Sequence, residues 1–259
     1  MKVNEVLKTI EKFAPPYLAY SWDNVGLLVG NGEREVKRIL ITLDPDVDIV
    51  EEAVEKGCDL IVSHHPMFFK GAKHIRTDEP EGRAIELLMK NDISLIAAHT
   101  NMDCAEGGIN AGLAEIFGLE DVEVLEENAA NPSCGLGRVG NLKKPMALSE
   151  LAAFAKDTLA VSGVRAAGAA DSVISRIAVA GGSCSEVIPL AIAKGCGAII
   201  TGDMKYHETI NAVNSGICVI DAGHYGTEHH VIGIFEKILM PLGVETVRSE
   251  HKDIFDFVV

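Results

Sequence analysis

The sequence predicts an α/β protein built as two related lobes with mostly parallel sheets, on three observations. Apolar runs of strand length alternate with amphipathic helical stretches, which is the pattern of βαβ units with right-handed crossovers. The pattern occurs twice. Setting residue n against residue n+138 aligns Arg38-Ile39-Leu40-Ile41 with Arg176-Ile177-Ala178-Val179 without a gap. The same offset then aligns Ala53-Val54-Glu55-Lys56-Gly57-Cys58 with Ala191-Ile192-Ala193-Lys194-Gly195-Cys196. Third, the matched strands all end in polar, ligand-bearing residues, and in open α/β sheets ligands collect beyond the carboxyl ends of strands.

The chain opens with a helix over Val3–Phe13, whose apolar residues Val3, Val6, Leu7, Ile10 and Phe13 recur at helical spacing. A strand over 39–43 and a helix carrying Ile49, Val50, Ala53 and Val54 follow, and Gly57 stops the helix. Leu60–Val62 is a buried strand, closed by Ser63-His64-His65-Pro66, where proline cannot continue the ladder. Ile93–Ala98 is the next strand. Its partner in the second copy, Ile217–Ala222, aligns at an offset of 124, so the first copy carries 14 extra residues between the strands, including Phe68–His74. Asp103 precedes a helix bearing Ile109, Leu113, Ile116 and Phe117, and capping that helix is one role open to it.

Glu126–Gly135 reads as a loop and sets the lobe boundary, residues 1–128 against 129–259, with intertwining allowed. Gly135-Leu136-Gly137-Arg138-Val139-Gly140 spells the dinucleotide-binding fingerprint, but Pro132 and Ser133 precede it and Pro145 follows. The fingerprint needs a strand before and a helix after it, so this is a glycine turn entering a strand, with Arg138 as an anion contact. A helix over Leu148–Leu159 and a strand over 177–181 lead into the second copy. The last helix carries Val231, Ile234, Phe235 and Ile238. Thr227 is expected as its N-cap, which places Glu228 in the first turn and His224 on the entering loop.

Composition narrows the function. The net charge of −15 argues against binding nucleic acid through its phosphates. No apolar run approaches the roughly 20 residues that span a bilayer, and the first residues lack a signal-peptide pattern, so a cytoplasmic protein without membrane contact is expected. Cys58, Cys104, Cys134, Cys184, Cys196 and Cys218 form no CxxC pair and sit in apolar surroundings, as reduced core residues do.

The chemistry lies at the strand ends: Ser63-His64-His65, His99-Thr100-Asn101-Met102-Asp103, Thr201-Gly202-Asp203 with His207, and Gly223-His224 with Glu228. His64, His65, Asp103, His224 and Glu228 form a mixed imidazole and carboxylate set. Five ligands exceed the three or four of a single zinc site, so two divalent ions are expected, chosen among Zn, Fe, Mn, Co and Ni, in the cleft between the lobes. His99 and His207 are candidates for bracing that site or facing substrate. His229, His230 and His251 read as surface residues.

The segments Ser21-Trp22-Asp23-Asn24-Val25-Gly26, Ser63-His64-His65-Pro66, His99–Asp103, Gly137-Arg138-Val139-Gly140, Thr201–His207 and Gly223–Glu228 resemble the GTP cyclohydrolase 1 type 2 family, the Ngg-interacting-factor-three-like group. The likeness runs essentially end to end, and the chain is similar to the short form of the family, without the domain that longer relatives insert in mid-chain. It implies two related α/β lobes, a dinuclear metal site between them with the same five ligands, and a toroidal homohexamer built from dimers. It further implies a small-molecule substrate, a nucleotide, whose guanine ring is opened by metal-activated water, with Asp23, Asn24 and Arg138 as lining residues. A metal-dependent phosphoesterase and a metal-bearing scaffold ring without catalysis are the competing readings.

Overall fold

The computed structural model describes residues 1–256 and divides the chain into two compact units. The first comprises Met1–Ala105 and Val231–Lys252; the second comprises Glu106–His230 and the chain from Asp253.

The first unit runs through α1 (Val3–Phe13), β1 (Gly26–Val29), β2 (Arg38–Thr42), α2 (Val47–Glu55), β3 (Leu60–Ser63), α3 (Pro80–Lys90), β4 (Ser94–Ala97) and α4 (Thr100–Cys104). The chain returns to it with a C-terminal helix, Val231–Leu239, and a C-terminal strand, Glu245–Arg248. The five strands stand in the order β1, β4, β3, β2, C-terminal strand, and only β1 is antiparallel to its neighbour. Burial on both faces explains why these strands read as continuous apolar runs rather than alternating ones. Leu40, Ile61 and Leu95 lie in register and pack with Ile49, Val50, Ala53, Ala84 and Leu88 of α2 and α3. Ile39, Ile41, Leu60, Val62 and Ile96, at the alternate positions, are equally buried, and the C-terminal helix packs on both α1 and β2. Asp46 caps α2 by accepting from the Ile49 amide at 3.0 Å.

The second unit contains α5 (Ile109–Ile116), β5 (Glu120–Asn128), β6 (Asn131–Ala147), α6 (Leu148–Thr158), β7 (Arg165–Ala167), β8 (Val173–Val179), α7 (Ile188–Ala193), β9 (Ala198–Thr201), α8 (Tyr206–Asn214), β10 (Cys218–Asp221) and α9 (His224–Glu228). Its six strands stand in the order β5, β6, β8, β9, β10, β7. Only β8, β9 and β10 are mutually parallel, so this sheet is mixed rather than mostly parallel. Ile177, Val179, Ala198, Ile200, Cys218 and Ile220 pack with Leu113 and Phe117 of α5 and Leu148, Leu151 and Ala155 of α6.

The boundary expected at 128/129 falls inside the antiparallel hairpin of β5 and β6. The segment Glu126–Gly135 is therefore mostly strand, turning at residues 129 and 130, because Asn128 pairs with Asn131 across a tight turn. The Gly135–Gly140 stretch lies wholly within β6, so it is not the strand-to-helix turn of a dinucleotide site.

In the first sheet Ile39 pairs with Leu60 and Leu60 with Ser94; in the second Ile177 pairs with Ala198 and Ala198 with Cys218. These positions differ by 138 (177 − 39), 138 (198 − 60) and 124 (218 − 94), the offsets at which the sequence aligns. Smaller details match at the same offset. Arg38 Nη1 donates to the Lys56 carbonyl at 2.5 Å, and Arg176 Nε to the Lys194 carbonyl at 3.0 Å. Gly57 and Gly195 both end their helices with left-handed backbone, φ +63° and +74°. Burial pushes the thiols of Cys58 and Cys196 up to about 11, which makes both inert core groups at neutral pH. All six cysteines are buried without a disulfide.

Candidate metal centre

In the first unit, β3 delivers His64 and His65 at its carboxyl end, and the neighbouring β4 delivers His99. His64 is fully buried, and its Nδ1–H donates to the Ala98 carbonyl at 2.9 Å. A carbonyl only accepts, so Nε2 carries the ring's lone pair, the form that ligates a metal. That Nε2 lies 3.7 Å from Oδ1 of the buried Asp103 on α4. Asp103 does not cap α5, which begins at Ile109 after Gly108.

His65 donates Nδ1–H to Asp44 Oδ1 at 2.6 Å, and His99 donates to Asp23 Oδ1 at 2.9 Å. The rings of His64 and His65 are 4.8 Å apart, and that of His99 lies 5.1 and 5.4 Å from them. One nitrogen from each of the three falls within 4.8 Å of the others. A carboxylate or carbonyl on one ring nitrogen fixes the tautomer and raises the basicity of the other, the usual support of a metal-bound imidazole.

In the second unit, α9 sets His224 and Glu228 one helical turn apart, with His224 Nε2 3.1 Å from Glu228 Oε2. His224 donates Nδ1–H to Asp203 Oδ2 at 2.7 Å. Asp203 holds left-handed backbone at φ +54°, a conformation tolerated by aspartate and concentrated at functional sites. A neutral imidazole nitrogen facing a carboxylate oxygen at 3.1 Å sets two lone pairs against each other. A bound cation, or a second proton on the ring, removes that repulsion.

Thr227 organises the turn instead of capping the last helix. Its hydroxyl lies 3.0 Å from both the Gly223 and His224 carbonyls and accepts from the Gly182 amide at 3.0 Å. His224–Glu228 is a short helix of its own rather than an entering loop, followed by a separate one at Val231. Thr227→Val keeps the shape but strands the Gly182 amide, so a loss of about 1–3 kcal/mol in urea unfolding is expected, against near-neutrality for Thr227→Ser.

Asp23, expected to line a substrate pocket, is a brace. Its side chain is fully buried, and it accepts from His99, from the Thr100 amide at 3.0 Å and from the Thr100 hydroxyl. Burial alone raises its pKa, but these bonds outweigh it and hold the carboxyl at about 2, below the ordinary 3.8. A depressed folded-state value means a contribution fully present above about pH 4 and lost as the pH falls through 2. At 1.36 kcal/mol per unit this is about 2 kcal/mol, and the stability gap between wild type and Asp23→Asn should narrow by that amount between about pH 5 and pH 2 in urea titrations.

Asn24 donates to the Phe68 carbonyl at 2.8 Å, tethering the irregular segment after His65. Arg138 is buried, and its guanidinium Nη1 donates to the carbonyls of Gly135 and Gly137 at 2.8 Å, which clamps the backbone of β6. His207 stands exposed in the first turn of α8, against Tyr206. The three histidines expected on the surface, His229, His230 and His251, are all partly buried. His230 Nε2 donates to the Ile109 carbonyl at 3.0 Å, and His251 reaches Asp44.

Asp44 is absent from the residues expected at the site, and Asp203 stands among them without a partner assigned. Each follows a strand end, and a carboxylate there was a usable signal; what sequence lacks is the pairing of each with a particular imidazole. Among the described residues no helix is long and apolar enough to cross a membrane.

A family profile described as Duf34/NIF3 (NGG1p interacting factor 3) matches residues 1–253. A Clostridium perfringens protein named GTP cyclohydrolase 1 type 2 homolog is 38% identical over 262 residues, covering all of both chains. A protein of the same name from Bacillus subtilis is 30% identical, with 90% of this chain and 91% of its own covered. Among solved structures, a Bacillus cereus protein related to NIF3 superposes with a TM-score of 0.93 at 26% identity, over 100% of this chain and 99% of its own. Reduced HcgD from Methanocaldococcus jannaschii gives 0.83 at 31% identity, over 97% and 98%.

Proposed function

The chain belongs to the Duf34/NIF3 (NGG1p interacting factor 3) family, and on that premise we propose that it is a dinuclear metal-dependent hydrolase acting on a nucleotide ring. The proposed ligands are His64, His65, Asp103, His224 and Glu228, a mixed imidazole and carboxylate set for a pair of divalent ions. The observation that carries this reading is the uniform state of the histidines. His64, His65 and His224 each commit Nδ1–H to a carbonyl or carboxylate at 2.6–2.9 Å, and so present Nε2 as a donor. Glu228 and Asp103, 3% and 6% exposed, supply the anionic charge that a divalent ion neutralises.

Divalent ions held by these residues would supply an activated water and would stabilise charge developing on the substrate. His99, anchored through Asp23, holds or delivers a proton at Nε2. Trp22 and Phe69, 58% and 48% exposed, flank His99 at 6.0 and 5.5 Å between ring centroids and offer an apolar rim to a planar heterocycle. The relatives' name supplies the sharpest substrate, GTP. The working form is taken to be a cytoplasmic homohexamer, six chains of 27.6 kDa each, which light scattering reads directly.

The test is turnover. Protein loaded with Zn, Mn or Fe should convert GTP to a ring-opened product, and protein stripped by chelator should not. If no nucleotide is altered while a known cyclohydrolase works in parallel, the hydrolase reading fails and the metal-bearing scaffold takes its place.

A further inference from the structure

The C-terminal segment crosses the carboxyl end of β2. The C-terminal strand pairs in parallel with β2, from Glu245 opposite Arg38 to Arg248 opposite Ile41. The chain then stays attached residue by residue. The Ser249 amide donates to the Ile41 carbonyl at 2.9 Å, and its hydroxyl bonds Thr42 Oγ1 at 3.0 Å. The Glu250 amide reaches the Glu52 carboxylate at 3.0 Å. His251, its side chain 9% exposed, places Nε2 3.1 Å from Asp44 Oδ2, while His65 holds the other oxygen, Oδ1, at 2.6 Å.

One carboxylate thus joins two imidazoles from opposite ends of the chain. Asp44 is itself 39% exposed, and a lone half-exposed carboxylate has several rotamers from which to choose. The Thr42 hydroxyl bonds the Asp44 carbonyl at 2.9 Å and so fixes its backbone; His251 is what engages the oxygen that His65 does not. We propose that His251 is a positioning residue for the metal centre: through Asp44 it sets the orientation and donor strength of His65, so that the C-terminal strap tunes metal affinity. The inference rests on the reading of His65 as a metal ligand.

The probe is Co2+, titrated into metal-free full-length protein and followed by its visible absorption, whose band positions report ligand geometry. His251→Ala should weaken Co2+ binding about tenfold, the lower end of what losing an outer partner of a metal ligand costs, and should shift the bands. His251→Gln keeps an N–H donor where Nε2 stood and should restore both affinity and spectrum. Metal-free thermal melts of each variant separate loss of fold from loss of positioning, and His251→Leu, which keeps bulk without the donor, serves where the alanine variant does not fold. Wild-type affinity and spectrum in His251→Ala or His251→Leu would overturn the proposal. Absence of Co2+ binding by the wild type would instead overturn the metal reading beneath it.

Discussion

His64→Ala is expected to lower the metal content of the purified protein from the two divalent ions proposed per chain to one or none. The side chain is fully buried, so no solvent-exposed neighbour can substitute for it, and its Nε2 sits 3.7 Å from Asp103. Losing a direct ligand should exceed the 10–100-fold affinity cost of losing an outer partner. The same substitution strands the Ala98 carbonyl, which accepts from Nδ1, and about 1–3 kcal/mol of metal-free stability should go with it. Elemental analysis after dialysis and a chelator-treated urea melt read the two effects separately. Two ions retained in His64→Ala would remove this histidine from the centre.

Gly182→Val should be the most damaging substitution at a position that is not itself a proposed ligand. Gly182 has φ +66°, a region a β-branched residue enters only with strain of about 1–3 kcal/mol. Its backbone cannot relax away. The amide donates to Thr227 Oγ1 at 3.0 Å, and the carbonyl accepts from the Gly202 amide and the Thr201 hydroxyl at 2.8 Å each. A Cβ built there stands 2.3 Å from Glu228 Oε1 and 3.1 Å from His224 Nε2, so the carboxylate must swing out of its buried position. A loss near 3 kcal/mol in metal-free melts, together with weakened binding at the His224 and Glu228 side, is expected. Unchanged metal affinity in a folded Gly182→Val would show that Glu228 is not held where binding requires.

The parallel cores of both sheets were legible because their strands are apolar on both faces and because the Lys-Gly-Cys turn recurs at a fixed offset. The antiparallel flank of the second sheet was not. In β5 the pattern Glu120-Asp121-Val122-Glu123 exposes most side chains, and Pro132 and Gly135 in β6 mimic loop punctuation while sitting inside an edge-side hairpin. The return of the last helix and strand to the first unit was not legible either, because it rests on a long-range pairing that local periodicity does not carry.

At the site, the ligand candidates were legible as residue types at strand ends. The acids that orient them were not, because Asp44 and Asp203 resemble ordinary loop carboxylates until their imidazole partners are located. Asp23 and Arg138, charged residues in glycine-rich segments, suggest ligand binding in the sequence; their hydrogen bonds to Thr100 and to the Gly135 carbonyl depend on long-range and turn geometry that the sequence does not carry. His251 was assigned to the surface because it follows a charged stretch, whereas pairing of the preceding strand with β2 draws it onto Asp44.

The most direct test of the dinuclear centre is anomalous scattering from crystals of the metal-loaded protein, recorded on both sides of the absorption edge of the bound element. Two peaks per chain, ligated between them by His64, His65, Asp103, His224 and Glu228, are the expected result. A single ion held away from His64 and Asp103 would contradict it.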